Sequence, residues 1–319
     1  MLVPKGFLAG AGAGGIKYED RPDVAVIFSE VEASAAGVFT RNKVQAAPVR
    51  VSQEHIQDGK ARAIVGNSGN ANACTGKQGL KDARRMAELV ASELGLRPEE
   101  VLVASTGVIG MPLPMDRVER GIREACRNLG PDGWEEAEQA IMTTDAKPKF
   151  AWMEISGART LGMAKGSGMI APDLATMLAF LVTDAEVEQG LLWEALRAAA
   201  RRTFNRLTVD GDTSTNDTVF ILANGASGVG FGKDELPKFA RALEEVCLDL
   251  ARQMARDGEG ATKLIVVRVK GARSEEEAGR VARAVAESPL VKTAMFGKDP
   301  NWGRVLAAVG RSGVDVEEE

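Results

Sequence analysis

The stretch Lys165-Gly-Ser-Gly-Met-Ile-Ala-Pro-Asp-Leu-Ala-Thr-Met-Leu178 sets a glycine-loosened, proline-bent loop directly before an Ala175-Thr176 bond and an apolar run. If that bond is cut, Thr176 becomes a chain terminus. A terminal threonine carries a hydroxyl nucleophile and its own α-amine on one residue. The amine's reference pKa of about 7.7–8.0 lets it act as a base near neutral pH. This is the threonine and terminal-amine pairing of nucleophilic catalysis. Read alone, the segment also fits a glycine-rich turn leading into a buried strand or helix.

Other loops carry polar groups of the right kind to serve such a nucleophile. Ser105-Thr106-Gly107 ends the apolar run Val101–Ala104. A hydroxyl from Thr106 and a backbone N–H from Gly107 suit a developing oxyanion, although strand ends often read Ser-Thr-Gly. Asn67-Ser-Gly-Asn-Ala-Asn-Ala-Cys-Thr-Gly76 has residues suited to left-handed turns, and fits a structural cluster as well as a contact site. Asp210, Asp212 and Asp217 hint at a calcium loop but lack the twelfth-position glutamate of an EF-hand, so turn formation explains them better. Glu259, between two glycines, is either a plain turn charge or a partner for the ammonium group of an amino-acid ligand. The run Gly10-Ala-Gly-Ala-Gly14 lacks the preceding strand and following helix of a dinucleotide loop.

Several chemistries are excluded. The single histidine, His55, lies in a polar segment ending in Asp58-Gly59, where a surface position is expected. A serine or cysteine relay through histidine therefore has no base, and a terminal amine is one of the few options left. Cys74, Cys126 and Cys247 are far apart and make no metal-ligand spacing; free thiols in a reducing cytoplasm, with no metal, are expected. A net charge of −5 does not suit nucleic acid. No apolar run is long enough for a membrane span, and the start has no long apolar stretch, so neither a span nor a secretory signal is expected.

The periodicities place these loops between elements. Short strands are expected through residues 1–75, including Val24–Phe28 and Ala63–Val65. Helices are expected over Gln78–Leu94, Arg117–Leu129, Gly133–Met142, Glu188–Phe204, Lys233–Arg256 and Ser274–Ser288, the last with Ser274 and Glu277 as a capping box. Strands are expected at Val101–Ala104, Met177–Thr183, Val219–Ala226, Lys263–Val269 and Val305–Val309. Grouped strands followed by helices argue for layered sheets with helices outside.

Together these segments resemble the ornithine acetyltransferase (glutamate N-acetyltransferase) family of arginine biosynthesis. The resemblance runs through Ala36–Lys43, Asn67–Gly76, Ala104–Gly110, Ile141–Asp145, Lys165–Phe180, Thr208–Asp217, Gly258–Lys263 and Lys298–Arg304. It implies an α+β, DmpA/ornithine-acetyltransferase-like fold of the N-terminal-nucleophile kind, an α/β/β/α sandwich. It implies self-cleavage at Ala175-Thr176 into an α chain, 1–175, and a β chain, 176–319, which stay associated as α2β2. The implied reaction carries the acetyl group of N2-acetylornithine to glutamate through an ester on Thr176, with Thr106 and Gly107 as the oxyanion hole. Thr143, Lys165, Thr176 and Glu259 match the family's substrate-binding positions, Lys165 toward a carboxylate and Glu259 toward the δ-ammonium. No cofactor is implied; use of acetyl-CoA as a second acetyl donor stays open. The family pattern continues with a C-terminal Asn and Thr near the substrate, for which Gly310–Glu319 has no counterpart, so a chain short at that end is expected. An aminopeptidase or amidohydrolase of the same fold, and an uncleaved amino-acid-binding protein, are the competing readings.

Overall fold

A sixteen-residue strand, Val24–Phe39, organises the sheet. The computed structural model describes residues 1–171 and 177–317. Within them the strands are β1 (Phe7–Gly12), β2 (Val24–Phe39), β3 (Lys60–Asn67), β4 (Val101–Ser105), β5 (Phe150–Ile155), β6 (Ala158–Lys165), β7 (Leu178–Thr183) and β8 (Thr218–Ala223). The hydrogen-bonded order is β4-β3-β2-β8-β7-β6-β5, with β1 also on β2. β3 and β4 are parallel, as are β7 and β8. Such pairs need crossovers rather than hairpins.

The pairing of β2 with β3 loses register between Phe28 and Ala33. A bulge of this kind bends a strand and increases its twist. The first half of β2 pairs β1 and β3; its second half pairs β8. The two halves of the sheet thereby face each other across an inner core. One side supplies Ala25, Ile27, Ile64 and Leu102, the other Leu161, Met163, Phe180 and Phe220. A Cβ at Gly66 would lie 3.2 Å from the Phe180 ring, so the missing side chain lets β3 approach β7. Helix α4 (Trp134–Ile141) closes this core with Trp134, Ala137 and Ile141.

Alternation of side chains sends the opposite residues outward. Val24, Val26, Val65 and Val103 meet α1 (Ala47–His55), α2 (Gly76–Leu94) and α3 (Met115–Arg127). Ala179, Leu181, Val219 and Ile221 meet α5 (Gln189–Arg202) and α6 (Leu236–Arg256). The result is the expected helix, sheet, sheet, helix layering. The Gly10–Gly14 run is explained by α3: side chains at Gly10 or Gly12 would collide with the carbonyls of Ala125 and Gly121.

Three expectations fail beyond residue 260. Lys263–Val269 is irregular: it pairs with no strand among the described residues, so its alternating pattern completes no ladder. Val305–Val309 is helical, inside α9 (Trp302–Gly310), where Asn301 caps the Arg304 N–H and the Leu-Ala-Ala run favours a helix. Helix α7 (Glu275–Ala286) has only half of the expected capping box: Ser274 accepts from the Glu277 N–H. An unforeseen α8 (Pro289–Phe296) lies between them, capped by Ser288 with proline at its first turn. His55 is half-buried rather than exposed, its Nδ1 2.8 Å from the Val101 carbonyl oxygen.

Candidate active site

Strand ends and the loops after them meet at one edge of the sandwich. β4 ends at Ser105, and Thr106 follows with its N–H donated to the Asn67 carbonyl at 2.9 Å. Ser105 Oγ donates to Asn67 Oδ1 at 2.6 Å, tying β4 to the asparagine-rich loop after β3. In that loop, Asn70 Nδ2 donates to the Met111 and Pro112 carbonyls and Asn72 Nδ2 to the Gly79 carbonyl. These amides are used in holding backbone, so the loop is a structural cluster. Gly107 has φ +135°, a conformation that side chains rarely adopt, and a Cβ there would strike the Gly69 carbonyl carbon.

Lys165, the last residue of β6, is 2% exposed. Its Nζ donates to Thr143 Oγ1 at 2.7 Å and Thr106 Oγ1 at 3.3 Å, and lies 3.9 Å from Asp145 Oδ2. Burial lowers its pKa, against the pull of the Asp145 carboxylate. Asp145 works as a hub: Oδ1 accepts from the Gly166 N–H and Lys149 Nζ, and Oδ2 from the Thr143 N–H. Burial alone would raise its pKa, but Lys165 and Lys149 together hold it below the usual carboxylate range. Lys149, 1% exposed, also donates to Asp257 Oδ2 at 2.7 Å. Asp257 follows α6, two residues before Glu259.

Glu259 joins from the other side. Its N–H donates to the Ser167 carbonyl at 2.8 Å, and its side chain is exposed. A Cβ on Gly168 would lie 2.5 Å from Glu259 Oε1, so the carboxylate rests against bare backbone. Thr106, Thr143 and Lys165 are thus in direct contact, and Glu259 adjoins the loop that follows Lys165.

Ala175 and Thr176 lie outside the described residues. Both flanks of residues 172–176 are held by one loop, 208–217. Upstream, Asp210 accepts from the Met169 and Ile170 N–H groups. Downstream, Asp217 Oδ1 accepts the Met177 N–H at 3.0 Å, and the Thr218 N–H donates to the Met177 carbonyl. Asp217 is buried, which pushes its carboxyl well above the usual range. Asn216 Nδ2 donates to the Ser105 carbonyl at 2.8 Å and to the Ala71 carbonyl at 2.6 Å. Neighbouring residues 216 and 217 therefore tie the end of β4 to the start of β7. Asp210 and Asp217 bind backbone, as turn carboxylates do.

The layered sandwich, with hydroxyls, a buried lysine and an exposed carboxylate at its strand ends, has the makings of an acyl-transfer enzyme. Comparison with known proteins makes this specific: the ArgJ family pattern matches residues 8–319, and the chain belongs to the ArgJ family. It is 55% identical to the arginine biosynthesis bifunctional protein ArgJ of Symbiobacterium thermophilum, over 99% of this chain and 81% of that protein. It is 50% identical to the glutamate N-acetyltransferase of Methanopyrus kandleri, over 100% of this chain and 82% of that one. Among solved structures, the Mycobacterium tuberculosis ornithine acetyltransferase complexed with ornithine is 42% identical over 53% of this chain and 92% of that chain, with a TM-score of 0.49. The chain is an acetyltransferase of arginine biosynthesis with the expected sandwich fold.

Sequence reasoning singled out Thr106, Gly107, Thr143, Lys165 and Glu259. It did not find Asp145, Lys149, Asn216 or Asp257 as groups that hold the site. A charged residue in a polar loop carries no mark of its eventual burial. The only local signals were Lys149 directly before the apolar start of β5, and Asn216-Asp217 directly before that of β8.

Proposed function

We propose that this enzyme moves the acetyl group of N2-acetylornithine to glutamate through an ester on Thr176, after cutting its own chain at Ala175-Thr176. The glutamate N-acetyltransferase activity comes with membership in the family; the ester and the cut are the further reading. The observation that carries it is the joint clamping by loop 208–217: Asp210 and Asp217 hold the two flanks of residues 172–176, and Asn216 holds the strand end that bears Thr106.

In self-cleavage, Thr176 Oγ attacks the Ala175 carbonyl carbon, the Ala175–Thr176 C–N bond breaks, and water hydrolyses the resulting ester. The α-amine of Thr176 is then free. In turnover, Oγ attacks the acetyl carbon and its proton passes to that amine. The C–N bond of acetylornithine breaks, the amine returns the proton to the departing nitrogen, and ornithine leaves. Glutamate's α-amine then attacks the ester and restores the hydroxyl. Thr106 Oγ1 and the Gly107 N–H stabilise the tetrahedral oxyanion in each step. Glu259 receives the δ-ammonium of the ornithine moiety, and Thr143 and Lys165 line the opposite side. This chemistry needs no cofactor and is assigned to the cytoplasm, with the two fragments remaining together in an α2β2 assembly. Among the described residues no helix is long and apolar enough to cross a membrane.

Intact mass under denaturing conditions tests the reading. Two fragments are expected, the second starting at Thr176 and gaining one acetyl group when acetylornithine is added without glutamate. Thr176→Ala should remain one chain and turn nothing over. Cleavage at the same bond in that variant would remove Thr176 as the nucleophile, and acetylornithine hydrolysis without glutamate would favour an amidohydrolase.

A further inference from the structure

We propose that Lys165 is a positioning residue for the oxyanion site, donating to Thr106 and Thr143 so that both hydroxyl protons remain available to the substrate. This rests on the acetyl-ester reading above. A lysine ammonium has three donors and no acceptor. At 2.7 Å and 3.3 Å from Lys165 Nζ, Thr143 Oγ1 and Thr106 Oγ1 are therefore acceptors. Each hydroxyl then has its own proton left to donate. A neighbouring positive charge also polarises those O–H groups, and charge-assisted hydrogen bonds are the stronger kind.

The surroundings fix this arrangement. Asp145 Oδ2 lies 3.9 Å from the ammonium and also accepts the Thr143 N–H, so one carboxylate orients both Lys165 and Thr143. Asp145 Oδ1 accepts the Gly166 N–H, fixing the backbone directly after Lys165. β6 pairs Lys165 with Leu178, the first residue of β7, which sets the lysine beside the start of that strand. Lys165 is 2% exposed, and its donors point into protein groups rather than toward open solvent. The titratable groups around it are Asp145, Lys149, Asp217 and Glu138.

This differs from a direct partnership with a substrate carboxylate, the role expected above for Lys165 at a substrate-binding position. A carboxylate-binding lysine acts mainly on substrate affinity. A lysine acting through Thr106 acts on the step in which the oxyanion forms, and its effect requires the Thr106 hydroxyl.

The test is a double-mutant cycle in the full chain with Lys165→Met, Thr106→Ala and both together. Self-cleavage rate is read by denaturing mass, and kcat and KM for acetylornithine by turnover. Each single variant should lower kcat by about 10²–10³ with little change in KM. The double variant should lose no more than about threefold beyond either single, because both remove one device. Lys165→Arg, which can still donate to both hydroxyls, should recover part of kcat. If Lys165→Met cannot process itself, the cycle is read on self-cleavage, where Thr106→Ala should be slowed to a similar degree. A raised KM with intact kcat in Lys165→Met, multiplied losses in the double variant, or normal processing of Thr106→Ala beside an uncut Lys165→Met would each overturn the proposal. If the wild-type fragment never carries acetyl, the ester reading fails and this inference fails with it.

Discussion

Glu259 owes the position of its carboxylate to a side chain that is not there. Gly168 has no Cβ, and adding one would place a carbon 2.5 Å from Glu259 Oε1. Gly168→Ala should push the carboxylate aside, raise KM for acetylornithine and leave thermal stability nearly unchanged, since Glu259 is exposed. An unaltered KM would take Glu259 away from the substrate. Glu138 is a different case, with Oε1 accepting the Lys149 N–H and Oε2 buried without a partner among the described residues. Burial lifts its pKa from 4.5 to about 8. A raised folded-state pKa gives stability that is complete below the unfolded value and is lost as pH rises through the folded one. Melting temperature should therefore fall from about pH 4.5 to about pH 8 more steeply in the wild type than in Glu138→Gln, which cannot ionise. Parallel curves would show that Glu138 does not titrate in this range. Thr106-Gly107 at a strand end and Glu259 between glycines were visible in the sequence as local features, each open to a plain structural reading until the family resemblance joined them. Residues of the site were illegible where burial made the function, as with Lys149 and Glu138, since no local pattern marks a charged residue in a polar loop or helix for burial.

At the scale of elements, Lys149 is a strut between the loop that follows α4 and the C-terminal end of α6. Its ammonium meets Asp145 at 2.7 Å and Asp257 at 2.7 Å, joining the Lys165 side of the site to the Glu259 side. Lys149→Met removes the cation and leaves two carboxylates facing each other. A loss of about 3–5 kcal/mol is expected, as for one partner removed from a buried pair. Urea denaturation of the variant measures it, and a loss below about 1 kcal/mol would mean that the carboxylates relax into solvent. The elements themselves were legible to different degrees. α2 was readable from its apolar spacing and the left-handed Gly95 that ends it, and the outcome agrees. The full length of β2 was not, because its middle, Glu30–Glu32, is exposed and polar at the bend and interrupts the apolar pattern. Val305–Val309 misled because a short apolar run has no period of its own, and the deciding cap, Asn301, stands four residues before it.

Over the whole molecule, layering follows from β2 serving both halves of the sheet. Its first half pairs β1 and β3, its second half β8, and the inner core lies between. No local pattern in the sequence discloses that one strand does both, since the fact lies in pairings between distant segments. Strand order also governs the lifetime of a cut molecule. β7 and β8, downstream of residue 176, lie between β2 and β6, both upstream of it. Six residue pairs hold β8 to β2, and six hold β7 to β6. The downstream piece can leave only by opening both ladders together and baring the cores on both faces of the sheet. The fragments should therefore co-elute on size exclusion even at high dilution, and separate peaks would contradict this order of strands. Once denatured, they must find each other as two molecules, so recovery of the folded sheet after urea should depend on concentration more steeply in the cut protein than in Thr176→Ala. A single broken bond would turn a folding reaction that one chain can repeat into an assembly reaction between two, and the native state would then be kept chiefly by how slowly it comes apart.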